Sequence, residues 1–311
     1  MNISYLKEEL QKHKIEFSEN ESLSKYTTFR VGGSALIMAR PKNSLEMIHV
    51  QKIVLKKNIP FFLLGGGSNV LISDEGLDFV IYPQFKEEFK AKEHENHIKL
   101  EVASNVRNGW LSLKMSKLGF SGLEFLSTIP GKIGGAVVQN AGCYGCQIQD
   151  ILESVEVVNK GRLINLSANE LNLSYRNSLF KQDKLMWISK AVFLLQRKEP
   201  PEIEKKISDY KSERLKSQPK NRRSAGSIFK NPENGLKAWQ LIENAGLRGY
   251  SIGEAVVSDK HANFILNEKN ARASDIYRLI CYIEKTVKEK FEISLEREVQ
   301  LLGRFNGQDF F

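Results

Sequence analysis

The segment Arg222–Pro232 (RRSAGSIFKNP) sets Ser227 between Gly226 and the apolar pair Ile228–Phe229, in the wake of a run of lysines and arginines. Its hydroxyl can bond nearby backbone and shape a turn that glycine relaxes. It can also donate a proton to an anionic substrate held beside it. Two glycine-rich segments bear on the choice. The first, Gly65-Gly66-Gly67-Ser68-Asn69-Val70, lacks the third glycine of the dinucleotide fingerprint and runs into an apolar, strand-like stretch where that fingerprint requires a helix. Three consecutive glycines still let backbone N–H groups converge on a diphosphate, with the Ser68 hydroxyl and Asn69 amide as further donors. The second, TIPGKIGGAVVQNAGCYG, holds Ile129, Pro130, Gly131, Gly134, Gly135, Asn140 and Gly142. It is no Walker A loop, because Lys132 has no adjacent Ser/Thr and no glycine at the required distance upstream. So much glycine is costly in chain entropy unless backbone must approach something closely, and two such loops point to a phosphate-bearing cofactor. Cys143 and Cys146 form a C-x-x-C, but with Cys281 as the one other cysteine no four-ligand metal set follows, and no metal site is expected.

These residues need elements to hold them. The start, MNISYLKEELQKHKIEF, reads as an amphipathic helix. SALIMA, then the helical SLEMIHVQKIVLKK, then FFLL and VLIS around the glycine turn make a β-α-β-like opening. From about Pro83 to Arg197 the strand candidates HIKLEVAS, SVEVVN and MWISKAVFLLQ are interrupted by the helical GWLSLKMSKLGFSGLEFL. A basic helix, PPEIEKKISDYKSERLKSQPKNRR, leads to the Ser227 turn. Beyond it lie the helix GLKAWQLIENAGLRG, the strands EAVVS and NFILN, a helix from Ala273 to about Lys290, and the strand-like LEREVQLLGRF. Strands and helices mixed in this way indicate an α+β fold.

With 311 residues the chain exceeds ordinary single-domain size. Its 41% apolar and 27% charged residues suit a folded globular protein. The balance of 46 Lys+Arg against 37 Asp+Glu, net +9, favours anionic partners. No apolar run approaches the length of a membrane span and the start lacks a signal-peptide core, so the cytoplasm is expected and no membrane partner. A nucleic-acid-binding protein is the rival from another class, but aromatics do not interleave the basic run and no binding module is evident.

YTTFRVGG, LLGGGSNVLISDEGLD, IPGKIGGAVVQNAGCYG, LSYRNSLFK, SAGSIFKNP, AWQLIENAGLRG, VSDKHANFILN and LEREVQLLG stand in the order seen in the UDP-N-acetylenolpyruvoylglucosamine reductases, also called UDP-N-acetylmuramate dehydrogenases. The chain resembles that family from about Tyr26 to Gly303, and the direct helix-to-strand passage after GLRG resembles its shorter type. The resemblance implies a flavin fold of the vanillyl-alcohol oxidase and p-cresol methylhydroxylase kind. It implies two FAD-binding subdomains, 1–82 (to which 301–311 returns) and 83–216, and a substrate domain over 217–300. It also implies FAD as cofactor, NADPH as hydride donor, and reduction of UDP-N-acetylglucosamine enolpyruvate to UDP-N-acetylmuramate in peptidoglycan synthesis, with no obligate protein partner. An FAD oxidase of the same fold is the nearer rival. Cys143, Cys146, Gln139 and Lys132 depart from the family pattern and bear on cofactor tuning.

By that resemblance Arg176 of the Y-R-x-S motif, Ser227 of G-S-x-F-K-N-P and Glu298 of L-E-x-E-V are the catalytic residues. Taken singly, Arg176 reads as a surface arginine, Glu298 as a solvated charge and Ser227 as a turn former. Reduction of an enolpyruvyl bond needs a hydride, a resting place for negative charge and a proton. Arg176 offers a fixed cationic fork for the carboxylate or enolate, Ser227 the proton, and Glu298 polarisation of the enol. Tyr175, Lys230 and Asn231 are weaker candidates for substrate contact, and Lys220, Arg222 and Arg223 for the UDP diphosphate. His261 reads equally well as a buried histidine satisfied by backbone.

Overall fold

The structure, a computed structural model, describes residues 3–86, 88–95, 97–219, 223–233 and 235–305. The architecture is α+β, and the chain forms two units, each assembled from separated segments: 1–18, 37–66 and 79–214 in one, and 19–36, 67–78 and 215–311 in the other.

The first unit contains α1 (Ile3–Lys12), α2 (Ser44–Lys56), α3 (Asn108–Lys117), α4 (Ile133–Val138) and most of α5 (Pro200–Ser217). Its main sheet is antiparallel, with strands ordered Arg162–Ser167, Leu152–Asn159, Trp187–Arg197, Ile98–Ala103, Phe89–Glu93. Ala191 is a register point, opposite Val155 on one side and Val102 on the other. Trp187, fully buried, meets the Phe61 ring edge-on at 5.0 Å. The wholly buried Gln51 of α2 donates to the carbonyls of Val158 (3.1 Å) and Leu185 (2.7 Å) and accepts from the Gly161 N–H (2.7 Å). One side chain thus satisfies three buried backbone groups that the strand ladders leave over.

The second unit is built on α6 (Ala238–Asn244) and α7 (Ala273–Phe291), with a small antiparallel sheet of Ser251–Ile252, Ala255–Val257 and Ile265–Asn267. In α7, Ile276, Leu279, Ile280, Ile283 and Val287 repeat at helical spacing and lie in the core with Phe29, Leu71 and Phe229. The Asp74 carboxylate caps the helix start, accepting from the N–H groups of Ala273 and Ser274, both at 2.9 Å. Gln300–Leu302 runs parallel to Val70–Ile72.

Three readings need correction. The stretch after Ile129, read as an open glycine loop, contains α4: Ile133, Ala136 and Val137 bury one face, a spacing that the Gly134–Gly135 pair obscures. The helix expected over GWLSLKMSKLGFSGLEFL stops at Lys117, because Gly119 takes φ 74° and Phe120–Ser121 joins the end of Trp187–Arg197. The terminal strand is only Gln300–Leu302. Strands Phe17–Ser22, Leu77–Ile81, Phe89–Glu93 and Arg162–Ser167 were not anticipated. No helix among the described residues is long and apolar enough to cross a membrane.

Candidate active site

In the second unit, Ser227 and Glu298 lie on adjoining extended segments. The Glu298 N–H donates to the Ile228 carbonyl (2.7 Å) and the Lys230 N–H to the Glu296 carbonyl (2.8 Å), with Phe229 opposite Arg297. Two neighbours hold this pair of segments. Asn263, buried, accepts from the Phe229 N–H (3.0 Å), donates to the Phe229 carbonyl (2.8 Å), and offers its own carbonyl to the Ile228 N–H (2.9 Å). Arg297 makes a bidentate pair with Glu284 of α7, both bonds at 2.5 Å, which holds its guanidinium firmly charged. Successive side chains of an extended segment alternate in direction, so Arg297 anchored on α7 leaves Glu298 on the opposite face. Asn69 of the glycine run completes the arrangement, donating to the Glu298 carbonyl (3.0 Å) and accepting from the Gln300 N–H (3.0 Å). Gly67 has φ 61°, and a Cβ there would stand 1.8 Å from the Tyr26 carbonyl oxygen. Ser68 and Val70 flank Asn69, and Val70 pairs with Gln300.

In the first unit the two glycine segments meet. A Cβ on Gly66 would lie 2.6 Å from the Gly131 Cα, so only glycine permits the contact. Gly65 and Gly135, by contrast, have nothing within 4 Å of where a Cβ would stand, which leaves their backbone open to a ligand. Closely paired loops with open glycines fit a dinucleotide-type cofactor such as FAD. Gly134 donates to the Ser104 carbonyl and is packed against Ser104.

Asn140 is buried with φ 40°, and its amide donates to Gln147, Gln149 and the Ser174 carbonyl while its oxygen accepts from the Gln149 N–H. It therefore joins the glycine segment to the turn that carries Arg176. That turn is a two-residue reversal closed by mutual Ser174–Asn177 bonds, and Arg176 within it has φ 55°, a conformation uncommon for a non-glycine residue. The Arg176 guanidinium donates to the Gly142 carbonyl (3.2 Å) and stacks over Tyr175 at 5.1 Å. Gly142 starts a hairpin in which Cys143 faces Cys146 across the turn Tyr144–Gly145, where both φ are positive. Burial pushes the Cys143 thiol up and, with Cys146 beside it, the Tyr210 phenol up to about 12. Among the described residues no group of three or more His, Cys, Asp or Glu could hold a metal.

Of the weaker candidates, Tyr175 is 53% exposed, Lys230 pairs with Glu296, and Asn231 accepts from the Ala238 N–H. Arg223 donates to the Lys269 carbonyl (2.6 Å), while Lys220 and Arg222 lie outside the described residues. His261 stacks edge-on with Phe264 at 4.8 Å. Sequence reasoning missed Asn263 and the Arg297–Glu284 pair. The signal for the first was a lone amide heading the apolar run NFILN, which burial obliges to be hydrogen-bonded.

The model of the C-terminal domain of UDP-N-acetylenolpyruvoylglucosamine reductase matches residues 218–302, and that of an FAD binding domain matches residues 35–167. A UDP-N-acetylenolpyruvoylglucosamine reductase of Carboxydothermus hydrogenoformans is 41% identical over 97% of this chain and 100% of its own. One from Caldicellulosiruptor saccharolyticus is 40% identical over 95% of each chain. The crystal structure of the UDP-N-acetylenolpyruvylglucosamine reductase of Thermus caldophilus superposes with a TM-score of 0.76 at 31% identity, over 93% of this chain and 99% of that one. On near-full-length likeness of this kind, the chain belongs to the UDP-N-acetylenolpyruvoylglucosamine reductase family.

Proposed function

We propose that this protein reduces UDP-N-acetylglucosamine enolpyruvate to UDP-N-acetylmuramate with NADPH, through FAD, in the cytoplasm. The observation that carries the reading is the pairing of the Ser227–Lys230 and Glu296–Val299 segments, which sets a hydroxyl and a carboxylate on adjoining backbone tied to Asn69 of the glycine run. The functional division we propose is FAD binding by 1–82 and 83–216, with substrate binding by 217–300. Gly65, Gly66, Gly131 and Gly135 would hold the cofactor, and FAD when bound supplies hydride transfer from NADPH to the terminal carbon of the enolpyruvyl group.

The chain's own residues meet the remaining demands. Arg176, fixed in its turn by Gly142 and Tyr175, takes the carboxylate and the negative charge that spreads into it as hydride arrives. A planar, permanently charged donor already oriented needs little reorganisation as charge develops. Ser227 gives its proton to the ether-bearing carbon. A hydroxyl is a poor acid in water, and it serves here because the acceptor is carbanion-like. Glu298 polarises the enol and orders the protons around it. Asn140 positions the segment that presents Arg176, as Asn263 and Arg297 position those presenting Ser227 and Glu298.

The test is an anaerobic spectrum of the wild-type and Ser227→Ala proteins after NADPH and again after the enolpyruvyl substrate. Both should retain flavin and bleach with NADPH. Recovery of absorbance should be at least about a hundredfold slower in the variant, the lower end of what a general acid contributes. Equal recovery rates would remove Ser227 from the chemistry. Absence of bleaching or recovery in the wild type would remove the activity itself.

A further inference from the structure

Lys132 lies within the second glycine segment, and none of the roles above uses it. Residues 104–108 run antiparallel to 131–134: the Asn108 N–H donates to the Gly131 carbonyl (3.1 Å), the Ile133 N–H to Val106 (2.9 Å) and the Gly134 N–H to Ser104 (2.8 Å). That register sets Arg107 directly opposite Lys132. The Lys132 ammonium rests 3.8 Å from the centre of the Tyr82 ring, which holds it in place as a cation–π contact. Among the described residues, Arg107 and Tyr82 are the charged or titratable groups facing it, and no carboxylate pairs with either cation. Burial, then the charge of Arg107, bring the lysine down to about 8. Two opposed cations with no counter-charge are unfavourable alone and become favourable once an anion lies between them. They stand next to Gly131, where the two glycine segments touch.

We propose that Lys132 and Arg107 form a phosphate-receiving pair that takes an oxygen of the FAD diphosphate where the glycine segments meet. The inference rests on the flavin reading above. It makes Lys132 a cofactor-affinity residue rather than a participant in proton or hydride transfer. The sign of its pH dependence follows directly. A bound anion favours the ammonium and raises its pKa, so FAD binding takes up a proton once the pH exceeds about 8, and affinity falls by up to about tenfold per further pH unit.

The test measures FAD release from full-length flavoprotein on serial dilution, followed by flavin fluorescence, at pH 7 and pH 9, for wild type, Lys132→Met and Lys132→Arg. Inorganic pyrophosphate serves as the competing probe. Lys132→Met should bind FAD about tenfold or more weakly at pH 7, as expected for loss of a charge-assisted hydrogen bond, with no further change at pH 9 and reduced sensitivity to pyrophosphate. Lys132→Arg should keep the affinity and lose the pH dependence, which also excludes misfolding as the cause. Unchanged FAD affinity in Lys132→Met would overturn the proposal. So would an effect confined to KM for NADPH relative to NADH, since the phosphate would then be the nicotinamide cofactor's. Wild-type protein that binds no FAD would instead overturn the flavin reading, and is distinct from wild type and Lys132→Met binding it equally.

Discussion

Removing the Asn263 side chain should loosen the Ser227 segment and reveal how much of the site is held by one amide. In Asn263→Ala the Phe229 N–H and carbonyl lose partners at 3.0 and 2.8 Å. Phe229 is 1% exposed, so water cannot replace them. At about 1–3 kcal/mol for each buried group left unpaired, the loss is about 2–6 kcal/mol, a large share of the roughly 5–15 kcal/mol that stabilises a folded domain. Urea unfolding reports it, with Trp239 as the local fluorophore because its ring lies 6.2 Å from that of His261, two residues before Asn263. The same variant should slow return of flavin absorbance with substrate more than bleaching by NADPH, because the segment it slackens carries Ser227. A stability loss under about 0.5 kcal/mol, the range of neutral surface changes, would refute the bookkeeping. Equal slowing of both half-reactions would refute the positional argument.

Gly66→Ala should separate the glycine segments, since the new methyl would sit 2.6 Å from the Gly131 Cα; the ratio of flavin to protein absorbance after purification should drop sharply. Gln51→Ala strands two carbonyls and one N–H around α2 and, at about 1–3 kcal/mol each, should cost about 3–9 kcal/mol in urea unfolding, with little change in flavin content. Burial raises the Cys143 thiol, and the thiolate is the reactive form. Its iodoacetamide labelling, read by peptide mass spectrometry, should therefore still be rising above about pH 8.5, the ordinary cysteine value, where an unperturbed thiol begins to level off.

Much of this was legible in the sequence where one residue pattern implies one local structure. The i, i+3, i+4 spacing of Ile276, Leu279, Ile280 and Ile283 allows little but a helix buried on one side, and α7 is there. The glycine run before VLIS was separable from a Rossmann turn because a strand follows it, as Val70–Ile72 shows. Legibility failed where local composition and tertiary demand disagree. FSENES carries a single apolar residue, and in RLINLS the adjacent Leu163 and Ile164 blur the two-residue alternation of a strand; Arg162–Ser167 exists because Leu152–Asn159 offers it a complete ladder. In α4 the glycine pair argued for a loop, while burial of Ile133, Ala136 and Val137 supplied what propensity withheld.

The site itself divides along the same line. Motif positions single out Arg176, Ser227 and Glu298 as the proposed catalytic residues, yet nothing local to those motifs explains why they are held as they are. Arg176 adopts φ 55° against its intrinsic preference, and a residue stays in such a conformation only when its surroundings over-determine it. Those surroundings are the Gly142 carbonyl, the Tyr175 ring and the Asn140 bond to Ser174. Glu298 likewise depends on its backbone bond to Ile228, on Asn69 at its carbonyl and on the neighbouring Arg297 pinned to α7. In both cases the backbone that carries the proposed catalytic side chain is held by the backbone groups and amides around it. Substitution of those amides should therefore damage rate and stability together, whereas substitution of Ser227 should damage rate alone.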